Sequence, residues 1–170
     1  KVKGSTELPS FKEIFECKLT LLRSYILGTF IGIIPGIGAT TAAFFGYNEA
    51  VRFSKHPEKF GTGVLEGIAA PESANNAAVG GALVPLLTLG IPGSATTAIL
   101  IGGLLIHGMI PGPLLFTEQP KFIYTFFGGM LIAQIAIFIC GIIGVRIFVK
   151  ILNLPYSIIG PCILVLSVVG

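Results

Sequence analysis

The sequence predicts an all-α membrane protein, a polytopic helical bundle whose helices are broken or re-entrant at Pro-Gly motifs. Of its 170 residues, 53% are hydrophobic and only 11% are charged, whereas roughly 25% are charged in ordinary soluble domains. The charge-free stretch 73–117 is rich in Gly, Ser, Thr and Asn, which indicates interrupted helices whose backbone and hydroxyl groups line a cavity inside a membrane. The predicted interruptions are Pro71, Pro85, Pro92, Pro111 and Pro113.

Charge and cysteine content argue against several kinds of site. The formal net charge is only +3 and its basic residues lie in short loops, so nucleic-acid binding is not expected. Cys17, Cys140 and Cys162 lack the spacing of a metal site or a disulfide framework. We therefore expect no cofactor, and no metal other than the Na⁺ considered below for Asn75 and Asn76.

Because the chain starts without Met and ends inside an apolar run, we expect a fragment of a longer protein.

The first 48 residues are predicted to form two elements. Residues 1–23 are expected to be an interfacial amphipathic helix, with Ser10 as N-cap and Glu13 three residues later. Residues 24–48 carry no charge and are expected to be a broken or re-entrant membrane segment. The break is assigned to Pro35 because proline removes a backbone donor and clashes with the preceding turn.

Glycines recur at every fourth position in this membrane segment, at Gly28, Gly32 and Gly36. Because glycine has no Cβ, such a stripe lets a second helix approach at short range. The spacing therefore predicts a helix packed directly against this segment.

The rest of the chain alternates polar and apolar stretches. The predicted segments are 49–68, a polar loop that its basic residues place on the cytoplasmic side; 69–117, a broken-helix region with the substrate and ion sites; 122–149, a transmembrane helix; and 151–170, the start of a further truncated membrane segment. The uncharged run 122–145 would be ~36 Å long as a helix, which is enough to cross a bilayer with some tilt.

Two stretches of the chain have similar sequences, which we call the internal echo. Ile34–Ala42 reads I-P-G-I-G-A-T-T-A and Ile91–Ala98 reads I-P-G-S-A-T-T-A. Chance similarity between low-complexity stretches is one explanation. The other is a pair of equivalent broken helices, which is the sequence signature of a transporter site at a repeat interface.

The repeated Pro-Gly motif predicts a specific kind of binding site. Where a helix restarts after Pro-Gly, its first N–H groups lack acceptors, and the helix dipole adds positive potential. A carboxylate can be held there without a buried Lys or Arg. The alternative is that the hydroxyls merely cap helix ends or bond to nearby carbonyls. The substrate-binding residues predicted here are Pro35, Gly36, Gly38, Thr40, Thr41, Pro92, Gly93, Ser94, Thr96 and Thr97.

The motif A-P-E-S-A-N-N contributes a second set of candidates. Glu72, Asn75 and Asn76 are predicted ion-coupling residues, with Na⁺ bound by the two Asn and both Asn also contacting substrate. Ionisable groups at membrane depth are usually functional. The alternative places Glu72 at the membrane interface as a helix-end residue and has the Asn pair bonding neighbouring backbone.

The motifs G-I-I-P-G-I-G-A-T, A-A-P-E-S-A-N-N and L-G-I-P-G-S-A-T-T-A lie within a region, about Ile26–Phe116, that resembles the large membrane subunit of the tripartite tricarboxylate transporters. The resemblance implies a multi-pass secondary transporter of the bacterial inner membrane, driven by a Na⁺ or proton gradient. Its implied partners are a small membrane subunit and a periplasmic binding protein that delivers citrate or a related carboxylate. The family motif positions match Pro35, Gly36, Gly38, Pro71, Glu72, Asn75, Asn76, Pro92 and Gly93.

Three other classes compete with this transporter. A passive channel would use the broken helices as a filter, and only uptake that follows an ion gradient separates it from a transporter. An intramembrane enzyme is not expected, because Ser94 has no evident base beyond the distant His107. A structural anchor would have no use for the Asn and Thr clusters.

Overall fold

The computed structural model describes residues 9–152 and 156–169. The first eight residues of the predicted interfacial helix therefore lie outside the described part of the chain. The helices are α1 (Phe11–Glu16), α2 (Lys18–Ile33), α3 (Gly38–Phe53), a 3₁₀ turn at Pro57–Lys59, α4 (Glu66–Leu89), α5 (Ala95–Ile106), α6 (Pro113–Glu118), α7 (Pro120–Leu152) and α8 (Tyr156–Val169). No strand occurs in this part of the chain, which confirms the all-helical prediction.

The start of α1 has the predicted capping box. The Ser10 hydroxyl accepts a hydrogen bond from the Glu13 N–H, and the Glu13 carboxylate accepts one from the Ser10 N–H at 2.7 Å. The Ser10 N–H and, second, the Ser10 hydroxyl donate to the Glu13 carboxylate, and these two bonds hold the pKa of the Glu13 carboxyl below its usual range. The helix ends at Glu16 and α2 begins at Lys18, so the predicted segment 1–23 contains a break.

Residues 9–123 form one packed unit around α2, α3 and α4. The Thr20 and Ser54 hydroxyls both donate to the Glu66 carboxylate, at 3.2 and 2.8 Å. The start of α2, the end of α3 and the start of α4 therefore lie together. Further along, Gly32 of α2 contacts Ala78 of α4. Thus α2 and α4 run parallel, and α3 runs antiparallel to both.

Gly and Ala make up most of the buried residues of this three-helix bundle. A Cβ added to Gly28 would lie 2.2 Å from the Ala74 carbonyl oxygen, and one added to Gly32 would lie 2.2 Å from that of Ala78. On α3, Gly46 is similarly close to Ala74, whose side chain is fully buried. The predicted close packing against the glycine stripe is confirmed for Gly28 and Gly32.

Many large apolar side chains of the bundle point outward. Phe30 and Phe44 are 66% and 68% exposed, and Leu89 is 65% exposed. Small residues inside and large apolar residues outside are typical of helices that pack against one another in lipid. In a soluble monomer, so much exposed apolar surface would mark an interaction site.

The chain after α4 folds back onto the end of that helix. The Gly112 N–H donates to the Leu87 carbonyl at 3.1 Å, and Gly90 approaches the Pro111 carbonyl. Gly112 precedes α6, so this contact places the α5–α6 connection beside the C-terminal turn of α4.

Residues 124–152 and 156–169 belong to a second unit, which contains most of α7 together with α8. Among the described residues, Pro120–Val145 is the single helix that is both long and apolar enough to cross a membrane. This agrees with the transmembrane helix predicted over 122–149. The polytopic bundle with broken membrane helices stays a prediction, since length and composition select only this helix.

Two of the predicted helix interruptions are wrong. Pro71 and Pro85 lie inside the continuous helix α4, with Pro71 in its second turn. Contacts of Ala70, Ala74 and Ala78 with glycines of α2 and α3 hold this part of α4 in place. This packing offsets the hydrogen bond that a proline inside a helix removes.

Candidate functional site

The two Pro-Gly motifs lie in loops that touch each other. Helix α2 ends at Ile33 and α3 begins at Gly38, while α4 ends at Leu89 and α5 begins at Ala95. The Gly36 N–H donates a hydrogen bond to the Gly93 carbonyl at 3.2 Å. The predicted pair of substrate-binding loops is therefore in direct backbone contact.

Positive backbone angles explain where the first loop can turn. Gly36 and Gly38 have φ of +84° and +78°, in the region that side-chain-bearing residues avoid. Pro35 and Gly36 are exposed, and Gly38 is half-buried. The loop thus presents accessible backbone beside the start of α3.

The second loop starts at Gly90 rather than at Pro92. Gly90 is in the left-handed conformation with φ +69°, its N–H donates to Leu86, and the Ile91 N–H donates to Pro85. These bonds cap the last carbonyls of α4. Pro92 is exposed, whereas Gly93 is buried against Ala82.

The helices that restart after the two loops have different N-termini. Ile37 precedes α3 and gives no side-chain cap, so the first N–H groups of α3 are left uncapped. At α5, the Ser94 hydroxyl accepts from the Thr97 N–H, and the Thr97 hydroxyl oxygen accepts from the Ser94 N–H at 2.8 Å. Positive potential is therefore more accessible at α3 than at α5.

The hydroxyl groups predicted to bind substrate also differ, because some are already hydrogen-bonded and others are not. Ser94 and Thr97 form the cap of α5, and the Thr41 hydroxyl donates to the Ile37 carbonyl at 2.9 Å. These three bond to nearby backbone, as the alternative interpretation expected. Thr40 and Thr96 are exposed, and their hydroxyls make no hydrogen bond within the described residues.

The A-P-E-S-A-N-N residues all lie on α4. Asn75 is half-buried and is separated from Ala82 by two helical turns on the same face, and Ala82 contacts Gly93. The Asn76 side-chain amide donates to the Glu72 carbonyl at 3.0 Å. Glu72 and Asn76 are exposed. Asn75 thus shares a face with the Pro-Gly loops, while Glu72 and Asn76 point away from the packed interior.

Comparison with known proteins decides the family. The chain matches the family described as "Tripartite tricarboxylate transporter TctA family" over residues 1–170. The chain belongs to the TctA family. This confirms the resemblance that the Pro-Gly and A-P-E-S-A-N-N motifs indicated.

Two proteins of Agrobacterium vitis are similar to this TctA-family chain. One, the "Uncharacterized 52.8 kDa protein in TAR-I ttuC' 3'region", is 39% identical over 150 residues, which are 88% of this chain and 30% of the relative. The other, an "Uncharacterized protein in TAR-II ttuC' 3'region", is 37% identical over 143 residues, or 84% of this chain and 59% of the relative. The chain therefore spans about a third of the length of the first relative and about three fifths of the length of the second. No solved structure matches it.

Sequence reasoning missed a polar cluster at the opposite end of the bundle in this TctA-family chain. Glu66, interpreted as a loop residue, is the first residue of α4 and accepts hydroxyl hydrogen bonds from Thr20 and Ser54. Nearby, the Arg23 Nε lies 3.9 Å from a Glu49 carboxylate oxygen. The preference of acidic residues for a helix N-terminus was the signal that could have placed Glu66 correctly.

Proposed function

We propose that this chain is part of the large integral-membrane subunit of a secondary transporter for tricarboxylates or related organic acids. The transporter receives its substrate from a periplasmic binding protein and works in the bacterial inner membrane with a small membrane subunit. A Na⁺ or proton gradient drives it. Membership of the TctA family supports the transport role, and the coupling and partners are part of the proposal.

One observation carries the proposal for the site. The Gly36–Gly93 backbone hydrogen bond joins the two Pro-Gly loops beside the uncapped N-terminus of α3. Backbone N–H groups and the helix dipole favour a bound anion at such a position. A carboxylate group can bind there without a buried cation, with Thr40 as an additional hydroxyl donor.

The surroundings of the loops support a location in lipid. The bundle has Gly and Ala at its helix contacts, with large apolar residues exposed on its exterior. This distribution matches the packing of helices in membranes. In the proposal, α2–α3 and α4–α5 are two broken membrane segments, and Asn75 supplies a side-chain oxygen for Na⁺ near the loops.

The test is uptake by the reconstituted assembly. The full-length subunit, its small subunit and the binding protein are placed in proteoliposomes, and labelled citrate uptake is measured with and without imposed Na⁺ and pH gradients. We expect uptake against the citrate gradient that requires both the binding protein and one ion gradient. Citrate flux that only runs downhill, with no need of the binding protein, would instead identify a passive channel.

A further inference from the structure

A cavity of about 640 Å³ lies at the polar end of the three-helix bundle. Its walls come from α1, the start of α2 and the connection from α3 to α4. The Glu66 hydrogen bonds with Thr20 and Ser54 tie these walls together. The Pro-Gly loops are at the other end of α2 and α3, so this cavity is separate from the proposed substrate site.

Three cationic side chains line the cavity: Arg23, Lys55 and Lys59. Within the part of the chain that the structure describes, Lys55 and Lys59 form no ion pair. Arg23 stacks over the Phe53 ring at 4.7 Å, and its contact with Glu49 is long at 3.9 Å. The cavity therefore offers positive charge that its own carboxylates do not neutralise by direct contact.

Three carboxylates, those of Glu13, Glu16 and Glu66, also line the cavity. Glu13 accepts both bonds from Ser10, and Glu66 accepts the two hydroxyl bonds described above. Glu16 is the remaining acidic residue in the wall. An anion in the cavity would meet repulsion from all three carboxylates, because hydrogen bonds from neutral donors leave the charges of Glu13 and Glu66 in place.

Exposed apolar side chains border the same cavity. Leu19 and Phe53 line it and are 58% and 55% exposed. On α1, Phe11 and Phe15 are 93% and 65% exposed. A small soluble anion would leave this apolar border unused, whereas a phospholipid has both a phosphate and acyl chains.

We propose that this cavity binds an anionic phospholipid. The phosphate lies between Lys55, Lys59 and Arg23, and the acyl chains lie along Leu19 and Phe53. Basic residues near a membrane surface each add about 1 kcal/mol of attraction to anionic lipid. The inference rests on the membrane location in the proposed function, but its test requires no transport.

The test measures lipid binding to the purified full-length subunit in detergent. Phosphatidylglycerol is titrated and bound lipid is counted by native mass spectrometry, with phosphatidylcholine for comparison. We expect a preference for phosphatidylglycerol that Lys55→Gln/Lys59→Gln weakens roughly thirtyfold, the effect of two such charges. Glu16→Gln should strengthen binding, because it removes the nearby negative charge.

The matched control is Lys12→Gln/Lys18→Gln, which removes two cations of the same region that do not line the cavity. This variant should bind phosphatidylglycerol like the wild type. Equal weakening by both double variants would overturn the proposal, since the attraction would then belong to the general surface charge. Inorganic phosphate that binds as tightly as the lipid would also overturn it in favour of a free-anion site. Loss of citrate uptake would leave this measurement unchanged, so the two proposals fail separately.

Discussion

At the scale of single residues, Asn75 and Asn76 are neighbours with different surroundings. The Asn76 amide donates to the carbonyl of Glu72 within the same helix, and the side chain is exposed. Asn75 is half-buried, and its side chain makes no hydrogen bond within the described residues. Its amide is therefore available to a substrate or ion, while that of Asn76 is partly used by its own helix.

Asn75→Ala is expected to lower citrate uptake at least about tenfold, since one or two hydrogen bonds to substrate or ion are worth ~1.4 kcal/mol together. Asn76→Ala should have a smaller effect. Initial uptake rates in proteoliposomes, normalised to the inserted subunit, measure both. Normal uptake in both variants would remove the Asn pair from the site.

At the scale of helices, the bundle depends on backbone-to-backbone contact. Gly28 and Gly32 let α2 touch the carbonyls of Ala74 and Ala78, and Gly46 brings α3 onto the same stretch of α4. Because the contacts are made by backbone, no side-chain rotation can relieve an added Cβ. Helix spacing, rather than any single hydrogen bond, fixes where the Pro-Gly loops meet.

Gly28→Ala should destabilise the subunit, because the added Cβ would lie 2.2 Å from a carbonyl oxygen. Overpacking of this kind costs about 1–3 kcal/mol, more than the roughly 1 kcal/mol that alanine contributes to a helix. Gly80→Ala is the control, since its Cβ would meet nothing within 4 Å. The thermal unfolding temperature of the full-length subunit should fall for Gly28→Ala and rise slightly for Gly80→Ala. A rise in both would show that α2 and α4 are farther apart.

Gly93→Leu should weaken substrate binding by displacing the second loop. Its Cβ would lie 3.0 Å from the Ala82 Cβ and 3.3 Å from the Gly32 carbonyl oxygen, so the hydrogen bond to Gly36 would be lost. We expect the KM for citrate to rise about tenfold, matching the loss of ~1.4 kcal/mol. Gly102→Leu, on the open surface of α5, is the control. An unchanged KM in an inserted Gly93→Leu subunit would contradict the anion site at the loops.

The sequence predicted the element boundaries where the chemistry was local. Pro35 with Gly36 combines a lost donor with a residue that tolerates positive φ, and α2 ends just before them. The second break was predicted at Pro92, but the loop already starts at Gly90. Pro71 gave a similar local signal but sits inside α4, because contacts from distant glycines hold that helix. The hydrogen bonding of the hydroxyls, such as that of Ser94 in the cap of α5, depends on the three-dimensional structure. Residue spacing alone does not predict it.

At the scale of the whole molecule, the packed unit has two chemically different polar regions at opposite ends of one bundle. The Pro-Gly loops lie at one end of α2 and α3, and the Glu66 cluster with its basic cavity lies at the other. The internal echo predicted that the loops are equivalent, but their contact arises only when α2, α3 and α4 pack together. The predicted ion-coupling residue Glu72 lies outside this packing, since it is exposed on α4.

Glu72→Gln tests whether this carboxylate carries the coupling ion. The substitution keeps the size of the side chain and removes its charge, so the dependence of citrate uptake on Na⁺ or on pH should change while the subunit still inserts. Glu58→Gln is the matched control, because Glu58 is exposed in the connection between α3 and α4 and pairs with His56 at 3.2 Å. Uptake is measured at a series of Na⁺ concentrations and pH values. If Glu72→Gln responds to both like the wild type, Glu72 has a structural role and the ion site must be sought at Asn75.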